Sequence, residues 1–576
     1  MKTLNIFVAA AASLFAASTG FSQTPPLDPQ AIHTPNAGRH GIVVAEEEMA
    51  AAIGADILKQ GGNAVDAAVA TGFALAVTYP NAGNIGGGGF MLFYDAETKQ
   101  TLAIDYRETA PAAASRDMYL DENGNVDEDM VRYRHKAAGV PGTVAGLLFA
   151  HERYGRLSRK DILAPAIKLA KMGYPLRYYA AADITEHREH LTRDPDARSL
   201  FFKTDGSDYF PGDLWRNPDL AKVLEEISEK GRDGFYEGWV ADAIANDMAA
   251  NGGLVTREDL AGYEPVMREA VSGTYRGYEI VSMPPPSSGG VHLIQMLNML
   301  EKHAPFQSAG QSADELHFLA EVMRRAFADR AVLLGDPDFV DVPIKGLIAK
   351  EYAESRMADI ETDAASASSA IGEGDPAPYE SPQTTHFSVI DNDGNMVANT
   401  YTLNLSYGTG IVVPGTGMLL NNEMDDFSAA PGQPNYYGLV GGVKNAVAPG
   451  KRPLSSMTPA LIFQNGEPIL AVGGVGGSRI ITSVLNVIVN VVDRNMNIAD
   501  AIEAPRIHHQ WLPDQISHEP ALGADTKMLL EAKGHTVKAQ DWYGRVSGAM
   551  LLDGWYFGYA DPRTPGGGAC TPDAGC

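Results

Sequence analysis

Cysteine is almost absent: the chain of 576 residues has two, Cys570 and Cys576, both within its last seven positions. They cannot build a zinc cluster or a disulfide framework spread through a fold, which leaves one small tail loop or two free thiols. Positive charge is short as well, with 45 Lys and Arg against 72 Asp and Glu, for a formal net charge of −27. That balance repels phosphate backbones and anionic lipid at long range and argues against nucleic acid as a partner. Beyond the first twenty-odd residues no run of about 18 uncharged apolar residues occurs, so no membrane span is expected. The chain also lacks G-x-S-x-G, H-E-x-x-H and the G-x-x-x-x-G-K phosphate loop, which removes the commonest hydrolase, zincin and nucleotide-binding readings.

What remains is a globular composition, 45% hydrophobic and 20% charged, with 60 glycines and 35 prolines that bias it towards turns. Lys2 followed by the apolar run Ile6 to Ala17, broken only by Ser13, reads as an export signal. Gly20 and Ser22 suit cleavage before Gln23, and Ala16 with Ser18 offers an earlier site. Residues 1–22 are thus assigned to a signal peptide and the mature protein to the periplasm or the secreted fraction. Helical spacing from Glu46 to Leu75, broken at Gly61-Gly62-Asn63, predicts two helices and a tight turn. Further helical patterns run over Val144–Tyr154, Asp161–Met172, Asp219–Glu229, Ala241–Ala250 and Asp314–Ala331. The four glycines Gly86 to Gly89 permit close backbone approach but lack dinucleotide-binding spacing, so no dinucleotide is expected there.

Between Asp363 and Gln383 small, acidic and proline residues replace every period, which predicts a linker or exposed loop. Two β-rich runs follow, Thr384–Ile390 and Met396–Asn404, joined through Asn392-Asp393-Gly394, a hairpin signal. A three-residue loop pairs Asp391 with Asn395 and sets Thr384 opposite Thr402. Asp391, Asp393 and Asn395 do not make a calcium loop, because the turn glycine comes one position early and no distal Glu follows. Cutting Gln383–Thr384 would set a threonine hydroxyl beside its own α-amine, which titrates near pH 7.7–8 and can act as its general base without a histidine. Taken alone, Thr-Thr in a strand is good β packing.

Further stretches alter that balance. Gly61-Gly62-Asn63-Ala64-Val65-Asp66, Asp105-Tyr106-Arg107-Glu108-Thr109-Ala110-Pro111, Met283-Pro284-Pro285-Pro286-Ser287-Ser288, Thr384-Thr385-His386-Phe387, Leu420-Asn421-Asn422-Glu423-Met424-Asp425-Asp426, Lys451-Arg452-Pro453-Leu454-Ser455-Ser456 and Gly476-Gly477-Ser478-Arg479 occur in order. With these the chain resembles the γ-glutamyltransferase (γ-glutamyltranspeptidase) family over nearly its whole mature length. The resemblance implies an α/β N-terminal-nucleophile (Ntn) hydrolase fold, a four-layer αββα sandwich. It also implies self-cleavage between Gln383 and Thr384 into a large chain, 23–383, and a small chain, 384–576, that stay together as a heterodimer.

Carried over position by position, the resemblance makes Thr384 the nucleophile, Thr402 its hydrogen-bonding neighbour, and the amides of Gly476 and Gly477 the oxyanion hole. Arg107, with Ser455 and Ser456, would hold the α-carboxylate of a γ-glutamyl group. Asp426, Glu423 and Asn404 would take its α-ammonium, under a lid over Pro431 to Gly442 that carries Tyr437. The implied substrates are γ-glutamyl amides such as glutathione, with water, amino acids or peptides as acceptors and neither metal nor cofactor. Two rivals stay open: a cephalosporin (glutaryl) acylase, which the lid disfavours, and a self-cleaved, inactive binder of glutamyl peptides. His508-His509 are read as packing and hydrogen-bonding groups, since neighbouring strand residues face opposite ways and no carboxylate spacing completes a metal site, and His386 as structural, since the N-terminal amine makes a histidine base unnecessary.

Overall fold

The computed structural model describes residues 31–306, 311–375, 385–436, 438–540, 543–563 and 565–576, without the side chain of Thr385. Two antiparallel seven-stranded sheets lie face to face. The first runs, edge to edge, through Gly568–Cys570, Gly41–Ala45, Thr385–Asp391, Met396–Thr402, Gly88–Asp95, Gln100–Tyr106 and Val266–Arg268. The second runs through Asn36–Gly38, Trp555–Ala560, Arg545–Leu552, Glu467–Val475, Ala460–Gln464, Tyr278–Ser282 and Val271–Tyr275.

The period-2 alternation of each strand sorts its side chains between layers. Ile42, Val44, Phe90, Leu92, Ile390, Met396 and Ala398 pack with Leu461, Phe463, Ala471 and Ala549 between the sheets. Their neighbours Val43, Ala45, Met91, Phe93, Phe387 and Val389 point the other way, into a core with the helices Glu48–Lys59 and Ala64–Thr78. On the far face of the second sheet, Ile462, Leu470 and Val472 pack with the helices Gly289–Glu301, Ala313–Leu333 and Arg479–Val492. The result is the expected αββα sandwich. The predicted break between the first two helices is also present: Asn63 caps the second one in a capping box with Asp66.

The segment from Asp363 is more tightly held than its composition suggested. Trp511 Nε1 donates to the carbonyls of Ser368 and Ile371 at 2.8 Å, and Asp329 accepts the amide of Gly374 at 2.8 Å. Small residues leave its backbone open to buried side chains, so it is pinned up to Asp375 by polar contacts that leave no period in sequence. At the other end the open question about the tail is resolved: Cys570 and Cys576 form a disulfide. Cys570 sits on an edge strand paired with Val43. Among the described residues no helix is long and apolar enough to cross a membrane.

Candidate active site

The hairpin fixes the register. Thr385 pairs with Tyr401 and Ile390 with Met396, and the amide of Asp391 donates to the carbonyl of Asn395 at 3.0 Å. The Asp391 carboxylate accepts the amides of Asp393 and Asn395 and, at 2.8 Å, that of Ala64, so these acids hold a turn. The described pairing ends one residue short of Thr384. Thr384, the Gln383–Thr384 bond and Tyr437 lie outside the described residues. On the partner strand, Thr402 is buried; its Oγ accepts the amide of Asn404 at 2.8 Å, which leaves its own proton to donate. Its carbonyl accepts from Asn84 Nδ2 at 2.9 Å. Gly87 passes so close that a Cβ there would stand 1.8 Å from the Thr402 carbonyl oxygen, which is the steric reason for the glycine run.

Gly476 and Gly477 turn the chain from the strand Glu467–Val475 into the helix Arg479–Val492. Their φ values, +137° and +60°, suit glycine. The carbonyls accept from the amides of Arg479 and Ile480 at 3.1 and 3.0 Å, while no hydrogen bond among the described residues uses the amides of Gly476 or Gly477. Two such N–H groups ahead of a helix N-terminus favour a developing oxyanion.

Arg107 follows the strand Gln100–Tyr106 and is held at several points. Its amide donates to Asp105 Oδ1 at 2.9 Å, its carbonyl accepts Tyr263 Oη at 2.8 Å, and its Nε donates to the carbonyl of Pro453 at 3.0 Å. The two Nη atoms make short, charge-assisted hydrogen bonds to Glu423 and Asp426, and the Glu108 carboxylate lies 3.6 Å from Nη1. All four side chains are 0% exposed. The acids sit on the 3₁₀ turn Glu423–Asp426. Asn421 positions that turn: its Oδ1 accepts the Glu423 amide at 3.0 Å and its Nδ2 donates to the carbonyls of Gly86 and Gly139.

The resemblance assigns Arg107 and the two acids to opposite charges of one ligand; in the structure they also pair with each other, as opposite charges in a site this dry do. The pairing is incomplete, because one guanidinium faces three carboxyls. Burial drives Glu108, Glu423 and Asp426 above the ordinary carboxylate range, with Arg107 opposing it. Those carboxylates in turn hold Arg107 above its usual value despite burial. Glu423 Oε2, Asp426 Oδ1 and Asn404 Oδ1 have no hydrogen-bond partner among the described residues. Buried acceptors left open in this way fit a cationic ligand group.

Ser455 and Ser456 are fully buried two and three residues beyond Pro453. Ser455 Oγ accepts the Met457 amide at 3.1 Å, and Ser456 Oγ accepts from Arg330 Nη2 at 2.5 Å, so each hydroxyl can still donate. Residues that sequence reasoning missed stand behind the expected ones: Glu108 as a third acid, Asn421 and Asn84 as braces, and Arg330 behind Ser456. Only Glu108, adjacent to Arg107, left a local signal.

The histidines have structural roles. His386 joins Thr400 Oγ1 at 2.9 Å and Ser388 Oγ at 2.8 Å, and burial lowers it to about 3, so it stays neutral. His508 bonds Thr482 and Gln510, while His509 accepts the amide of Trp511 at 3.1 Å. His317, Glu321 and His535 lie within metal-ligating reach of one another. Most of their donor atoms are already engaged: the imidazoles bond each other at 2.7 Å and Glu321 carries Arg324 and Arg325.

The gamma-glutamyltranspeptidase family profile matches residues 50–571. The glutathione hydrolase proenzyme of Escherichia coli (strain K12) is 48% identical over 565 residues, covering 97% of each chain. Among solved structures, the cephalosporin acylase from Bacillus halodurans superposes with a TM-score of 0.84 at 28% identity, over 96% of this chain and 98% of that one. The Helicobacter pylori gamma-glutamyltranspeptidase chain matches with a TM-score of 0.57 at 45% identity, over 60% of this chain and 97% of that one. With a profile match across most of its length and a relative this similar from end to end, the chain belongs to the gamma-glutamyltranspeptidase family.

Proposed function

We propose that this protein is an autoprocessed γ-glutamyltransferase and glutathione hydrolase. It cleaves γ-glutamyl amides through a γ-glutamyl ester on Thr384 and passes the glutamyl group to water or to an amino acid or peptide. The observation that carries this reading is the buried Arg107–Glu423–Asp426 cluster, which offers both charges that a glutamyl α-carbon requires. Arg107 and the Ser455 and Ser456 hydroxyls hold the carboxylate, while Glu423, Asp426 and Asn404 Oδ1 hold the ammonium. The reacting carbonyl then faces Thr384. The Thr384 α-amine takes the proton from its hydroxyl, Thr402 donates to Oγ, and the amides of Gly476 and Gly477 receive the negative charge of the tetrahedral intermediate. Collapse expels the amine, and water or a second amine then attacks the ester.

Maturation uses the same hydroxyl on the Gln383 carbonyl and yields chains 23–383 and 384–576, exported together. The relative from Escherichia coli is itself called a proenzyme, which supports this step. Intact-mass analysis of purified protein tests it: a chain of 193 residues beginning at Thr384, about 21 kDa of the 61.5 kDa precursor, is expected, and Thr384→Ala should remain whole. A Thr384→Ala protein that still splits there by itself removes Thr384 from the mechanism. Release of nitroaniline from γ-glutamyl-p-nitroanilide tests the activity and separates an enzyme from an inactive binder.

The likeness to the cephalosporin acylase keeps a glutaryl acylase as the second reading. A glutaryl group has the carboxylate for Arg107 but nothing to answer the acids.

A further inference from the structure

Ser368 opens a short 3₁₀ turn, Ser368–Ala370, sixteen residues ahead of Thr384, and each of its polar groups is taken. Its amide donates to Asp514 Oδ2 at 2.7 Å, its hydroxyl accepts from Arg324 Nη1 at 2.6 Å, and its carbonyl accepts from Trp511 Nε1 at 2.8 Å. Arg324 also pairs with Asp514, which closes the socket. The same indole N–H reaches the Ile371 carbonyl at 2.8 Å. Ser368 and Ile371 are accordingly buried, while Ala367, Ser369, Ala370 and Gly372 beside them are exposed. A second grip follows at once. Arg356 Nη2 donates to the Gly372 carbonyl at 3.0 Å, and the Gly374 amide donates to the buried Asp329 at 2.8 Å. A Cβ at Gly374 would stand 2.2 Å from Tyr352 Oη, which itself donates to Asp329 at 2.8 Å.

Trp511 holds its backbone at φ +66°, a region that tryptophan adopts only where its surroundings impose it. Its amide bonds His509 Nδ1 at 3.1 Å and its ring packs against the core of the second sheet, which aims the indole N–H at the segment. Trp511 and Asp514 follow Thr384 in the chain, whereas Ser368, Gly374 and Asp329 precede it. We infer that Trp511, Asp514 and Asp329 are positioning residues for self-cleavage. They fix Ser368–Gly374 across the boundary between the two future chains, and so set the point and direction from which the chain runs on to Gln383. The inference rests on the maturation step proposed above. In that step the Thr384 hydroxyl adds to the Gln383 carbonyl, the C–N bond breaks as the hydroxyl proton passes to the departing nitrogen, and water hydrolyses the ester that remains. The attack is intramolecular, so its rate follows how often carbonyl and hydroxyl are presented to each other. The hairpin fixes one end through the pairing of Thr385, and a second fixed end at Gly374 limits the arrangements open to the bond between them. Turnover of a γ-glutamyl donor uses none of these contacts.

The test follows self-cleavage separately from turnover. Precursor is made by cell-free translation, and the split at Gln383–Thr384 is followed over time by intact mass. Trp511→Phe keeps an aromatic ring, removes both hydrogen bonds, and should split roughly fivefold more slowly than wild type, or slower still. Gly374→Ala, whose methyl group displaces the segment from Tyr352, should also split slowly. Adding Tyr352→Phe to it clears the hydroxyl and should recover part of the rate. Once fully split, each variant should turn over γ-glutamyl-p-nitroanilide within about twofold of wild type. Hydrogen exchange on the mature enzyme should find the Ser368 amide protected in wild type and faster in Trp511→Phe. A wild-type splitting rate in a folded Trp511→Phe or Gly374→Ala protein overturns the inference. Turnover losses that match the splitting losses overturn it as well, because they mark a general defect of the fold. If Trp511→Phe does not fold, Gly374→Ala and its Tyr352→Phe partner decide alone. Wild type that does not split at all overturns the self-cleavage reading and this inference with it.

Discussion

Arg107 and Asp426 lie 319 residues apart in the chain and share a buried, charge-assisted hydrogen bond, with Glu423 on the same guanidinium. The site thus contains an internal version of the charge pattern that a γ-glutamyl group would bring. In the proposed reading a γ-glutamyl α-carbon would exchange this pairing for two: its carboxylate would take over Arg107 and its ammonium would take over the acids. A ligand carrying only one of the charges would break the internal pair and leave a buried group unanswered, which costs several kcal/mol.

Arg107→Ala should raise KM for γ-glutamyl donors far more than it slows self-cleavage, which has no free α-carboxylate to bind. Truncating one partner of a buried charge pair costs about 2–5 kcal/mol, a loss in kcat/KM of roughly 30-fold or more. Arg107→Lys should rescue poorly, because an ammonium cannot reach Glu423, Asp426 and the Pro453 carbonyl with one planar fork. Steady-state kinetics on the matured variants check this, and unchanged donor kinetics in Arg107→Ala would remove the assignment.

Asp426→Asn should weaken turnover of γ-glutamyl-p-nitroanilide and at the same time narrow its advantage over the glutaryl analogue. The substitution removes a buried charge that the glutaryl group leaves unpaired, so the poorer substrate suffers less. Parallel losses for both donors would show that Asp426 serves only the structure of the turn.

The raised carboxyls give a pH dependence of definite sign. In the window between ordinary carboxylate values, near 4, and the raised values of Glu423 and Asp426, the folded protein keeps protons that the unfolded chain has released. Stability therefore falls as pH rises through that window. Donor affinity should move the opposite way, since the proposed ammonium contact requires the ionised form. The ratio of kcat/KM for glutamyl over glutaryl donors should climb with pH from the acid side, and titration of the Thr384 amine, common to both donors, cancels from it. A flat ratio would mean that the acids do not meet the ammonium.

The hairpin register was legible because loop length alone fixes it, and the structure pairs Thr385 with Tyr401 as the loop over Asn392–Gly394 requires. The sorting of Ile42 from Val43 and of Phe387 from Ile390 follows the same two-residue period. The Arg107–Asp426 bond was not legible as a contact, since nothing local in either segment records what it meets across 319 residues. Asn421 and Arg330 were hidden for a related reason: each works through hydrogen bonds to residues far away in the chain, and one polar residue in a helix or turn has no period.

The tail disulfide closes a ring of seven residues, and removing that constraint from the unfolded chain is worth about 2 kcal/mol. Cys570→Ser or reduction should lower stability by about that amount. The effect should be felt at the edge strand beside Gly41–Ala45, which the Cys570 segment covers. Hydrogen exchange at Val43 and Val44 checks this, and protection unchanged on reduction would show that strand pairing alone holds the tail.

The most direct test of the account is the ratio of kcat/KM for γ-glutamyl-p-nitroanilide over glutaryl-p-nitroanilide in the mature wild-type enzyme. The two donors share chain length, carboxylate and leaving group and differ only in the α-ammonium. The buried acids beside Arg107 predict a ratio far above one, on the order of a hundredfold for the several kcal/mol of an unanswered buried charge. A ratio near one, or one that favours the glutaryl donor, would contradict the assignment and place the protein with the acylases.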